Sequence, residues 1–149
     1  MISAHVIEHL ENPLGSIENA IRILKPGGIH LLVVPDLRFT FDKHRRPTPL
    51  VHLIQDAADG GAGTRINGYV EFLRDVARPE WGNPTPDEDL ERAAAEMSDR
   101  NQDIHFHAWT TETFRELLEH AGSHGAFRII GSAFVINENI FVLEKSRAS

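Results

Sequence analysis

The run Ile29-His30-Leu31-Leu32-Val33-Val34 constrains the fold of this chain most. Pro26-Gly27-Gly28 precedes it, Pro35-Asp36 ends it, and only His30 interrupts its apolar character. Such a run reads as a strand covered on both faces, the pattern of a central strand in a parallel sheet. Ahead of it, after Pro13, Leu14, Ile17, Ala20, Ile21 and Leu24 follow the spacing of one helix face. Pro26-Gly27-Gly28 stops that helix. Ile2 to Ile7 is largely apolar from the outset and reads as the end of another buried strand. Strand end, helix and strand make half of a doubly wound α/β unit.

From Asp36 to about Gln102, Arg, Pro, Gly and Asp are frequent and no second strong strand pattern occurs. Helices are predicted from Thr48-Pro49 to near Gly60, across Ile66 to Ala77, and from Thr85-Pro86-Asp87-Glu88 to about Met97. The last carries Thr-x-x-Glu with Pro at the first helical position. A stretch this long is more than a connecting loop and suits a lid over one end of the sheet. Thr110 then caps a helix with Phe114, Leu117, Leu118 and Ala121 on one face, closed by Gly122. Phe127 to Val135 and Ile140 to Glu144 read as an antiparallel hairpin around Asn137-Glu138-Asn139. The expected layout is a single domain: core 1–35, helical insertion 36–104, helix and hairpin 105–149.

Composition excludes several functions. The 149 residues suit one domain, and the absence of Cys removes disulfides, thiolate nucleophiles and Cys-based metal sites. No apolar run reaches the roughly 18 residues of a membrane span, and no signal peptide is visible. The net charge of −7 argues against nucleic-acid binding, so the expectation is a cytoplasmic protein with neither nucleic-acid nor membrane partners. Nine histidines are the oddest count.

Three constellations could carry chemistry. His5-Val6-Ile7-Glu8-His9 matches H-x-x-E-H, an inverted zinc-peptidase pattern if helical. Its plain alternative is a strand-to-helix connection with one histidine packed and one exposed. No metal ligands are assigned here, because Pro13 follows closely and only four residues precede. His105, His107 and Trp109 alternate along one side of an extended segment. They either wall a substrate site, with a histidine as base, or pack beneath a helix, the role favoured for Trp109. Arg38, Phe39, Phe41, His44 and Arg45 follow the Ile29–Val34 strand, where open α/β sheets bind ligands. No G-x-G-x-x-G, G-x-x-x-x-G-K-S/T or G-x-S-x-G occurs.

Ser3-Ala4-His5-Val6-Ile7-Glu8-His9-Leu10, then Asn12-Pro13, Ile23-Leu24-Lys25-Pro26-Gly27-Gly28 and Leu32-Val33-Val34-Pro35, resembles class I S-adenosylmethionine-dependent methyltransferases, most of all the type 11 group. The resemblance implies a partial Rossmann-like doubly wound sheet of that fold's strands 4, 5, 6 and 7, with a helical insertion after strand 5. The seventh strand of that fold lies antiparallel beside the fifth. It also implies S-adenosylmethionine as cofactor, with Ala4, His5 and Val6 beside it and Glu8 and His9 near. His5 would orient the acceptor or take its proton. The family's Gly-rich loop lies before its fourth strand, so Met1 is expected inside that strand, with roughly 90 residues of the fold unrepresented. Weak or absent cofactor binding and no activity are expected of these residues alone. Position and chemistry, rather than a family motif, put Arg38, Phe39, Phe41, His44, Arg45, His105, His107 and Trp109 on the side of a small-molecule or glycan-like acceptor, with His107 a second candidate base. Two alternatives stay open. One is a non-enzymatic remnant, associating as a homodimer through a raw strand edge. The other is a zinc hydrolase using His5, Glu8 and His9.

Overall fold

The computed structural model describes residues 1–147. β1 (Ile2–Ala4) leads through a 3-10 turn at Ile7–His9 to α1 (Pro13–Ile23) and β2 (Ile29–Pro35). The Asn12 side chain accepts the Gly15 N–H at the α1 N-terminus, and Pro13 occupies the first turn, where its missing donor costs nothing. At the far end Gly27 takes a left-handed φ of 74°, and its N–H bonds the Lys145 carbonyl.

β1 and β2 pair in parallel, as the strand–helix–strand reading requires. β2 differs from expectation in its cover. Leu32 and Val34 are fully buried, whereas Leu31 and Val33 keep partial exposure and Ile29 is exposed. One face of β2 packs into a core with Leu14, Ile17 and Ile21 of α1 and Phe114, Leu117 and Leu118 of a later helix. The opposite face is more open among the described residues. His30 sits on the buried face, and its Nε2 meets the Ser3 hydroxyl at 2.9 Å. The polar break in the run is thus matched by a polar residue on the neighbouring strand.

The insertion is helical: α2 (Leu50–Asp59), α3 (Arg65–Phe72), a wide π turn at Leu73–Ala77, α4 (Arg78–Trp81) and α5 (Leu90–Asp99). It builds a small core of its own from Tyr69, Phe72, Val76, Leu90, Ala94 and Ile104. The Thr85 capping box does not form. Pro86 is extended (ψ 163°), the Thr85 carbonyl is taken by Arg78 at 2.7 Å, and the helix starts later, at Leu90. Thr110 does cap α6 (Thr111–Gly122), in a reciprocal box with Thr113.

β3 (Phe127–Val135) and β4 (Glu138–Lys145) form the hairpin. Its turn is Ile136-Asn137, tighter than predicted, because Val135 pairs with Glu138 and Ile136 adopts a left-handed φ of 61°. The sheet order is β1-β2-β4-β3, with β4 antiparallel between β2 and β3. This is a mixed α/β sheet, with the last strand inserted beside the second as the resemblance implied. No helix among the described residues is long and apolar enough to cross a membrane.

Candidate active site

The carboxyl ends of β1 and β2 meet the hairpin turn, because Pro35 at the end of β2 pairs with Glu138 at the start of β4. β1 continues its ladder one residue beyond Ala4, with the His5 N–H on the Val33 carbonyl at 3.1 Å. His5 itself has φ 52°, a left-handed backbone unusual outside glycine that costs on the order of 1–3 kcal/mol. The chain therefore turns sharply and leaves Ala4, His5 and Val6 exposed at the sheet end.

The His5 ring is held at one nitrogen. Nε2 lies 2.8 Å from the Glu138 carboxylate, and Nδ1 lies 3.5 Å from Glu8 Oε1, beyond a good hydrogen bond. Half of the His5 side chain (48%) is open to solvent. Glu8 is the opposite: 1% exposed, with neither carboxylate oxygen hydrogen-bonded. Its backbone carbonyl accepts the N–H groups of Phe106 (2.8 Å) and His107 (3.2 Å), which ties the 105–107 segment to the end of β1.

That tie brings His105 beside His9, edge to face at 4.6 Å. Each histidine is oriented by a carboxylate on Nδ1: Asp42 at 2.6 Å for His105 and Asp103 at 2.8 Å for His9. Phe41 lies against the His105 ring at 4.6 Å. Ligand-capable atoms of Glu8, His9 and His105 all lie within 4.8 Å of one another. His5, Glu8, His9, Phe41 and His105 therefore form one cluster, with Asp42, Asp103 and Glu138 as its acidic supports. H-x-x-E-H is not a helical zinc motif here, since His5 precedes the 3-10 turn and is bound to the hairpin instead.

Other expected acceptor residues lie elsewhere. Arg45 is buried. It donates to Asp42 (3.1 Å), the His105 carbonyl (2.8 Å), the Phe106 carbonyl (2.9 Å) and Glu71 (3.0 Å). All three of its guanidinium nitrogens are engaged internally, so it is a strut for the 105–107 segment rather than a substrate clamp. Trp109 is 0% exposed and packs against Phe114 in the main core, so of its two readings the structure gives it the packing position. His107 points away from His105, toward His52 and Trp109. Burial, aided by the charges of His52 and Arg45, pushes its pKa down to about 3, against weaker opposing contacts from the Glu11 and Leu10 carbonyls. A ring so depressed and only 2% exposed is a poor general base for an external acceptor, which corrects that reading. His44 pairs with Glu80 at 2.7 Å, away from His5.

Arg38 and Phe39 stay at the sheet end. Arg38 grips Asp36 through Nε and Nη2 at 2.8 and 2.7 Å, and exposed Phe39 leans on Phe134 of β3. Burial would raise the Asp36 carboxyl, but the Arg38 hydrogen bonds and charge, with the Thr111 N–H, hold it below the ordinary range. Reading the residues alone missed Glu138 and Asp103 as site residues. Nothing local marks either one; strand pairing delivers Glu138, and the return from α5 delivers Asp103.

Residues 1–124 match the family described as methyltransferase domain. The chain belongs to that family. The match covers β1 through α6, and the α/β sheet agrees with a class I methyltransferase-like domain. Comparison with curated proteins and with solved structures finds no match. In this methyltransferase domain the His5 cluster occupies the carboxyl end of the sheet, where α/β folds bind ligands.

Proposed function

We propose that the His5 cluster is the methyl-transfer end of an S-adenosylmethionine-dependent site acting on a small-molecule or glycan-like acceptor. The observation that carries this reading is His5 itself: a strained, half-exposed residue whose ring is fixed by Glu138 beside exposed Ala4 and Val6. The match to the methyltransferase family and the similarity of residues 3–35 to the type 11 group support it.

The residues present fit such a cofactor. Buried Glu8, unpaired in both oxygens, offers unengaged acceptor atoms beside the site, and Ala4, His5 and Val6 would line the group. When bound, S-adenosylmethionine supplies an activated methyl group for direct displacement. The protein's part is alignment and proton removal. With Nε2–H donated to Glu138, His5 Nδ1 is free to accept a proton from the acceptor. Phe39 and Phe41 offer apolar surface to the acceptor.

Residues 1–149 contain no G-x-G-x-x-G motif, and the Gly60-Gly61-Ala62-Gly63 loop joins two helices rather than a strand and a helix, so alone they are expected to hold the cofactor weakly or not at all and to turn over little. The test is amide chemical-shift mapping of the chain with S-adenosylhomocysteine. Weak, saturable shifts centred on Ala4, His5 and Val6 are expected. Shifts centred elsewhere refute the assignment.

A further inference from the structure

A second histidine cluster lies outside the His5 site. The geometry points to a zinc-type divalent cation site formed by His52, Asp56 and His107. His52 and Asp56 are one turn apart on α2, and His107 arrives from the segment pinned to Glu8. Asp56 Oδ2 lies 3.2 Å from His52 Nε2 and 3.6 Å from His107 Nε2, and the three ligand atoms all fall within 4.8 Å of one another. Zinc bonds of about 2.0–2.1 Å at tetrahedral angles set ligand atoms about 3.3 Å apart, between the two observed separations. An octahedral centre with similar bonds wants closer to about 3.0 Å, which both separations exceed.

The groups are otherwise unexplained. Asp56 is fully buried and His107 nearly so, yet Asp56 Oδ2 and both His107 ring nitrogens lack hydrogen-bond partners. Buried polar atoms rarely stay unpaired, and Asp56 Oδ2 and His107 Nε2 face each other across 3.6 Å, a gap that a shared cation would fill. The other Asp56 oxygen already accepts the Thr64 hydroxyl, an outer contact of the kind that orients metal-bound carboxylates. His52 and His107 also line a cavity of about 210 Å³ together with Thr64, Asn67 and Phe106. The cavity gives the ion an entry path and leaves room for water as a fourth ligand. Two imidazoles and one carboxylate match zinc's donor preference without thiolate, which this Cys-free chain cannot supply. Bound there, the ion would clamp the insertion helix α2 to the segment beneath the His5 cluster.

The test titrates the metal-stripped 149-residue chain with zinc chloride alone by calorimetry, then replaces zinc with cobalt(II) and reads its visible absorption. One zinc per chain and a tetrahedral cobalt spectrum are expected. Asp56→Asn and His52→Gln should each weaken zinc by about a hundredfold or more, since even outer-shell partners are worth about 10–100-fold. His105→Gln should leave affinity unchanged. His52 is partly exposed, so His52→Gln keeps the fold and decides the matter if Asp56→Asn does not. Absence of stoichiometric zinc, or binding that survives His52→Gln and is lost in His105→Gln, overturns the assignment.

Discussion

The His105 ring and the Asp42 carboxylate meet at 2.6 Å, and the same carboxylate bonds buried Arg45 at 3.1 Å. One acid thus orients a histidine of the candidate site and neutralises the cation that holds its backbone. Asp42→Ala should cost about 3 kcal/mol, the low end for breaking a buried pair, because Arg45 keeps Glu71 and two carbonyls. Urea denaturation checks the value, and a loss under about 1 kcal/mol contradicts the strut role of Arg45.

His5 tests the value of a left-handed backbone. His5→Gly should stay within about 1 kcal/mol of the parent chain, since relief of strain offsets the lost Glu138 contact. His5→Val should lose about 1–3 kcal/mol, because a β-branched residue resists this φ. Equal stability of the two variants would show that the turn relaxes freely.

Trp109 separates packing from binding. Its side chain is fully enclosed with Phe114 and Phe141 nearby in the same core. Trp109→Ala should cost about 3–5 kcal/mol in denaturation. A stable Trp109→Ala chain would return Trp109 to the ligand side.

His30 makes stability depend on pH. Burial, reinforced by the positive amino terminus, lowers its pKa below the ordinary value of 6.5. Below that value the unfolded chain binds the proton more readily than the folded one, so this contribution is fully present above about pH 6.5 and shrinks as pH falls toward the folded pKa. Denaturation at stepped pH should show the decline, and His30→Leu should flatten it. An unchanged slope in His30→Leu assigns the decline to other groups.

The outer edge of β1 predicts self-association of the chain. Among the described residues β1 pairs only with β2, and Ile2 is 70% exposed beside it. Light scattering should show concentration-dependent dimers that Ile2→Lys reduces. A strictly monomeric chain at high concentration removes this edge as a contact.

Short-range order was largely legible from residues. Pro13 and Pro26-Gly27-Gly28 bound α1, Thr110 caps α6, and the apolar run became β2, because caps, breakers and periodicity act within a few residues. The failures are also local in cause. Thr85 lost its capping role when Pro86 turned extended and Arg78 took its carbonyl. The hairpin tightened because Ile136 accepted a left-handed φ that its sequence disfavours.

By itself the sequence determined the element order, the parallel pairing implied by strand–helix–strand, and the likeness to a methyltransferase domain. Tertiary structure alone decided which histidines keep company. His105 and His107 are two residues apart, yet one turns to His9 and Asp42 and the other to His52 and Asp56. Alternation along an extended segment suggests a shared side, but the Glu8 carbonyl and the Arg45 strut fix that backbone in an irregular path. The partners are contributed by elements tens of residues away, whose positions follow from how the core packs and from no local pattern.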